Sequence, residues 1–369
     1  MAFRKIIDSV PGFYEPFLPD VFQTEVPPEP FSDCLNCPMI AASRDEMADN
    51  LSKPFAPDTK CCTFTPRIPN YMAGAILSDT DPSMEEGRRR ITARIKSGEG
   101  IFPNGVYPTH RYHQLYLERS REEFGRNREL LCPYFIEGRY NCTIWKFREA
   151  ICALWFCKHL AGTRGREFWN AVLDYMKFMQ ESLINVSVYM CGLRPVDPYG
   201  EGGRPEYIAL TDVRGAEQQY AALWGEWAGH EAEYYIKCYE IIDNLDPDHV
   251  LKIQEKGAAL AEKIAGIASD IIKVPEYLVL NKGMAHESGV GYYRVELRNY
   301  IEILQKQIIW SFRLPKFILD LFDGKTFTKE VVHQISVNEK VRIEPEIVIA
   351  LFRHGVLTEK KLDFPEDMV

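Results

Sequence analysis

Residues 132–157 read CPYFIEGRYNCTIWKFREAICALWFC, a stretch that sets Cys132, Cys142, Cys152 and Cys157 among aromatic and basic residues. Upstream, DCLNCP (33–38) supplies Cys34 and Cys37, and KCCTFTP (60–66) supplies the adjacent pair Cys61 and Cys62. Eight of the ten cysteines therefore fall within the first 157 of 369 residues, and Cys191 and Cys238 stand alone beyond them. A C-x2-C pair can grip one ion because the turn between its sulfurs aims amide N–H groups at them, and thiolates favour zinc and iron–sulfur clusters. The competing reading takes cysteines as small buried hydrophobes, and it is the one preferred for Cys191 and Cys238.

Working outward, residues 1–30 are crowded with proline and aromatics (PGFYEPFLPDVFQTEVPPEPF, 11–31) and predict an extended arm with little regular structure. Residues 31–110 read as irregular, with one apolar stretch at Tyr71–Leu77 and a charged helical stretch near Ser83–Lys96. Apolar residues at helical spacing predict helices over Tyr112–Glu129, Lys146–His159, Arg166–Met190, Asp212–Asn244 and Asp248–Ser269, with Asp212 and Asp248 as N-caps. After Lys273, alternating segments at Tyr277–Leu280 and Tyr292–Asn299 predict a hairpin, and Pro315–Phe322, Thr328–Ile335 and Pro345–His354 predict three short helices. The expected architecture is mainly α. It comprises an arm (1–30), an irregular metal-organised cysteine-cluster region (31–160), a helical bundle (161–272) and a small α+β module (273–369).

Composition bounds the function. Hydrophobic residues at 46% and charged residues at 26% describe a folded chain, and no run reaches the roughly 18 apolar residues of a membrane span. Pro11, Pro16 and Pro19 interrupt any secretory apolar region, so the expected compartment is the cytoplasm, where thiols stay reduced. A net charge of −9 has the wrong sign for a chain whose main partner is a phosphate backbone. Arg88, Arg89, Arg90, Arg94 and Lys96 could hold phosphate, but Glu85 and Glu86 on the same helix favour a salt-bridged, solvated face. Glu226, His230 and Glu233 would share a face of one helix, yet the paired Glu-x-x-His motifs of di-iron bundles are missing. The chain holds no G-x-G-x-x-G, P-loop, G-x-S-x-G or H-E-x-x-H motif.

The segment 132–157, with the upstream C-x-x-C and CC, resembles the YkgJ family of zinc- or iron-chelating proteins over residues 31–160. The matching residues are Cys34, Cys37, Cys61, Cys62, Cys132, Cys142, Cys152 and Cys157. Arg148 stands where that family often has Arg-Pro, with Glu149 in place of the proline. The resemblance implies metal binding without implying a reaction. Eight thiolates could hold one or two iron–sulfur clusters, [4Fe–4S] first among them, or zinc. Trp145, Phe147, Trp155 and Phe156 would shield a redox cluster, or serve equally as ordinary core. Cys152 and Cys157 can reach one centre only if their helix ends near Phe156, and His159 is a further candidate ligand. The expected function is electron transfer or another redox reaction at an iron–sulfur centre; the alternative is a structural zinc scaffold or recognition module without catalysis.

Residues 273–369, through FILDLFDGKTFTKEVVHQI (317–335) and EIVIALFRHGVL (346–357), look similar to winged-helix-like modules of the PqqD type. That resemblance implies a protein or peptide partner added along the strand near Tyr292–Asn299, with a purely structural cap as the equal alternative. Arg353 is the one fixed positive charge on Pro345–His354, which argues against DNA in a groove.

Overall fold

The computed structural model describes residues 3–27, 29, 34, 37, 39–40, 55–136, 142–157, 159–196, 217–301, 306–338, 341 and 343–360, with the backbone alone at 217–219, 298–301, 306–310 and 312. The fold is mainly α with small sheets. In the arm, β1 (Arg4–Lys5) pairs antiparallel with β2 (Glu25–Val26) around three short 3-10 turns. Ile6, Tyr14 and Phe22 are fully buried, so the arm is part of the core and more regular than its prolines suggest. Tyr14 Oη lies 3.1 Å from Tyr71 Oη and accepts a hydrogen bond from Gln180 Nε2 at 2.9 Å.

The region 66–110 is likewise not irregular. After β3 (Ile68–Pro69) comes α1 (Asn70–Ser78), whose residues 70–76 are all buried, and then α2 (Glu85–Ser97). Strands β4 (Ile101–Phe102) and β5 (Gly105–Val106) close a small sheet in the order β3-β5-β4. Helix α3 (His110–Glu123) is capped by the Thr109 side chain, which accepts from the Tyr112 amide at 3.1 Å. The helix expected over 146–159 shrinks to α4 (Ala150–Leu154), because Arg148 is extended and the Glu149 carboxylate caps the Ile151 amide at 2.7 Å.

The main core forms around α5 (Gly162–Met190), a 29-residue helix with a continuous buried face. The single helix expected over 212–244 is instead α6 (Glu217–Trp224), a 3-10 turn at Gly225–Trp227, and α7 (Glu231–Asp243). Asp212 lies outside the described residues. Glu226, His230 and Glu233 consequently share no helix face. The next segment breaks at Gly257, where Tyr175 and Phe178 press on the backbone, into α8 (Pro247–Lys256) and α9 (Ala258–Ile271). Its N-cap is Asp246 rather than Asp248, whose amide donates to the Asp246 carboxylate at 2.8 Å. Helices α1 and α7 cross at Gly74, where a Cβ would stand 1.9 Å from the Tyr235 carbonyl oxygen, so any side chain there separates them.

The C-terminal unit begins with β6 (Leu278–Leu280), β7 (Ala285–Glu287), β8 (Tyr292–Ile301) and β9 (Lys306–Pro315). Helices α10 (Lys316–Leu319), α11 (Thr328–Asn338) and α12 (Pro345–Arg353) and strand β10 (Leu357–Glu359) complete it. The three helices lie where alternation and turn signals place them, but the hairpin differs. Strand β6 pairs with β10, and β8 is central in the sheet β7-β8-β9. The edge expected for peptide addition is thus already occupied at Tyr293–Val295 by β7. A second hydrophobic core gathers Leu278, Val295, Leu319, Val331 and Leu357 together with Cys37, Met39, Phe55 and Phe124 from the N-terminal half. Among the described residues no helix is long and apolar enough to cross a membrane.

Candidate metal centre

The cysteine loops lie in the seam between the two cores: Cys132 and Cys142 pack against the larger, and Cys37, Cys61 and Cys157 against the smaller. The loop 55–65 is fixed on the segment after α3 by polar contacts. Thr59 Oγ1 donates to the Gly125 carbonyl at 2.7 Å, the Gly125 amide donates to Thr63 Oγ1 at 2.7 Å, and the Cys132 amide donates to the Cys62 carbonyl at 2.7 Å. Gly125 has φ +78°, and a Cβ there would meet the Phe55 ring at 2.2 Å, so the two loops close only over glycine. Lys60, itself left-handed at φ +50°, donates through Nζ to the Cys34 carbonyl and ties the C-x2-C loop to the CC pair. Arg90 holds the opposite wall, donating to the Pro133 and Phe135 carbonyls at 2.7 and 2.6 Å while paired with Glu86 at 2.6 Å.

The amide two residues ahead acts to lower three of the thiols: that of Met39 on Cys37, of Tyr134 on Cys132 and of Ile144 on Cys142. Burial raises all these thiols nonetheless, Cys34 and Cys142 to about 11 and Cys132 to about 12. Cys37 is also raised by burial, with the Cys61 charge adding to it. The thiol of Cys61 is raised by its hydrogen bond to Cys62 and then by burial. Cys152 opens to solvent, yet the protein packed around it raises its thiol well above the usual range, with Glu149, Cys132, Cys142 and Cys61 contributing in that order. Each of these sulfurs feels the charge of at least one other, so ionising several together requires a compensating cation.

Arg148 supplies part of that charge. Its guanidinium stacks 3.8 Å over the Trp145 ring, and burial lowers its pKa against the pull of Cys34, Cys142 and Cys152. The seam thus brings Cys34, Cys37, Cys61, Cys62, Cys132, Cys142 and Cys152 into one electrostatic neighbourhood. Cys157 follows the end of α4 and packs toward the C-terminal core. Among the described residues no three His, Cys, Asp or Glu side chains converge into a formed metal site. The Lys60 and Arg148 cations lie close enough to these sulfurs to favour their thiolates.

The remaining candidates take structural places. Cys191 and Cys238 meet in the main core with sulfurs 3.8 Å apart. His159 is buried and held down to about 4 by burial, then by Arg166 and His354, and His354 Nε2 lies 3.4 Å from its carbonyl oxygen. Trp145 is 39% exposed, whereas Phe156 packs edge-on to Trp169 at 4.6 Å. Arg89 and Arg90 pair with Glu86, and Arg88 and Arg94 bind backbone carbonyls. Sequence reading did not single out Glu29, whose carboxylate joins the Leu160 amide and the Trp169 indole at 2.8 Å each. It lies among prolines with no motif to mark it. No family model, curated protein or solved structure matches the chain.

Proposed function

We propose that this protein is a cysteine-cluster metalloprotein that holds an iron–sulfur centre for electron transfer or another redox reaction. The ligand pool is Cys34, Cys37, Cys61, Cys62, Cys132, Cys142, Cys152 and Cys157. The observation that carries this reading is that sulfurs from three separate segments influence one another beside Lys60 and Arg148, with the amides of Met39, Tyr134 and Ile144 acting as donors that favour the thiolates of Cys37, Cys132 and Cys142. Such donors delocalise thiolate charge and raise the potential of a bound cluster. When bound, the centre supplies one-electron chemistry. The chain's residues orient the sulfurs, offset their charge through Arg148 and Lys60, and limit water through Phe147 and Tyr134, which are 7% and 2% exposed.

Anaerobic purification followed by iron, sulfide and zinc analysis tests the proposal. A brown protein with matching iron and sulfide supports it; colourless protein with stoichiometric zinc overturns it in favour of the structural scaffold. For residues 273–369 we retain the winged-helix-like reading as a protein- or peptide-contact module, supported by three short helices packed with a three-stranded sheet.

A further inference from the structure

Cys191 and Cys238 are the two cysteines outside the proposed ligand pool, and the packing of α5 on α7 brings their sulfurs to 3.8 Å. They stand 47 positions apart in the chain, so the pairing is a product of the tertiary fold. A disulfide needs its sulfurs at about 2.0 Å. Turning one side chain about its Cα–Cβ bond covers a difference of that size.

The two cysteines are not equivalent. Cys238 lies within α7 and is fully buried, its sulfur accepting from Asn70 Nδ2 at 3.4 Å. Cys191 is the C-cap of α5 and 6% exposed, directly after Tyr189 and Met190, which stand largely in solvent. Gly192 follows at φ +77° with open space where a Cβ would stand, so the backbone carrying Cys191 has room to yield. The pair is therefore approached from the Cys191 side.

The acidities run in the same direction. The hydrogen bond from Cys238, with Lys237 adding to it, holds the Cys191 thiol below its usual range against the opposing effect of burial, whereas burial pushes Cys238 up. A thiolate at the shallower sulfur with a thiol beside it suits stepwise oxidation, in which one sulfur reacts and the other resolves it.

We propose that Cys191 and Cys238 form a reversible disulfide in the folded chain, with Cys191 as the sulfur that reacts with hydrogen peroxide and Cys238 as the one that resolves it. The Cys191 thiolate attacks one peroxide oxygen, the O–O bond breaks, and the second oxygen leaves as hydroxide and is protonated to water. The Cys238 sulfur then attacks the resulting sulfenic acid at Cys191. Its S–O bond breaks, and the departing hydroxide takes up the Cys238 proton as a second water. Each sulfur gives up one electron and the peroxide accepts both; a dithiol reverses the bond by returning two electrons and two protons and becoming a disulfide itself. The bond ties the end of α5 to α7 and, through Trp227 Nε1 donating to the Cys191 carbonyl at 3.0 Å, to the 3-10 turn before α7. Reduced, the two thiols are ordinary core packing. The proposal is independent of any metal at the cysteine seam.

Hydrogen peroxide added to the folded full chain, followed by iodoacetamide and tryptic mapping by mass spectrometry, tests it. The expected result is one linked peptide pair holding Cys191 and Cys238, lost on adding dithiothreitol. The linked protein should melt several degrees above the dithiothreitol-treated sample, a gain absent from Cys191→Ala. With dimedone present, Cys238→Ala should trap a sulfenic acid on Cys191, and Cys191→Ala none on Cys238. Both cysteines recovered alkylated after peroxide, either one joined to a cysteine of the seam, an unchanged midpoint once the link is mapped, or dimedone on Cys238 in place of Cys191 overturns the proposal. The mapping uses the parent chain, so it decides the matter even where a variant fails to fold.

Discussion

Glu29 accepts a 2.8 Å hydrogen bond from the indole nitrogen of Trp169, pinning the N-terminal arm to the long α5 helix. Burial raises the carboxyl from 4.5 to about 8, although hydrogen bonds from Leu160 and Trp169 work the other way. The folded state therefore holds a proton that the unfolded chain releases. This contribution to stability is full below pH 4.5 and is lost as pH rises through about 8. Glu29→Gln keeps the shape and an acceptor, so thermal melts should show it gaining on the parent as pH rises above 5, by several kcal/mol near pH 8, and equal to it at low pH. Parallel melting curves for the two proteins across pH 5–9 would refute the assignment.

Gly74 admits no side chain against the Tyr235 carbonyl. Gly74→Ala should cost about 3 kcal/mol or more by forcing α1 and α7 apart. Urea unfolding followed by circular dichroism measures this, and a loss under about 0.5 kcal/mol would contradict the helix crossing.

If the sulfurs organise an ion, its removal must also loosen the seam between the two cores. Melts with and without a strong chelator should differ by several degrees. An identical midpoint after verified metal loss would show that the loops hold without it.

Arg148 offsets thiolate charge at Cys34, Cys142 and Cys152. Arg148→Met should therefore weaken metal retention by about tenfold, read by competition against a chromogenic chelator, with helical content unchanged. Retention equal to the parent's would remove Arg148 from the centre.

Cys191 and Cys238 are packing residues, and Cys238 also accepts from Asn70 Nδ2 at 3.4 Å. Cys238→Ala should lower stability by about 1–2 kcal/mol while leaving metal stoichiometry as it was. Loss of metal in that variant would reassign the pair.

The 3.6-residue apolar spacing along 166–190 announces α5 because one helix face is buried over its whole length. The same signal overreaches at 146–159, where the Glu149 cap and the extended Arg148 are local polar choices that periodicity does not register. It overreaches again at 212–244, where His230 and the glycines before it break the helix without breaking the apolar pattern. Proline density hid the arm's role, since Tyr14 and Phe22 are core residues only through partners such as Tyr71, Gln180 and Tyr175, which lie far along the chain.

The sequence by itself determined the mainly helical class, the acidic surface, and the grouping of eight cysteines into three short segments. Those are properties of composition and local spacing. Only the tertiary structure decided that cysteines from all three segments share one seam, that Arg148 stands among them, and that β7 occupies the edge of β8. The seam depends on contacts between residues tens to more than a hundred positions apart, where loop closure and side-chain packing act and no local pattern reaches.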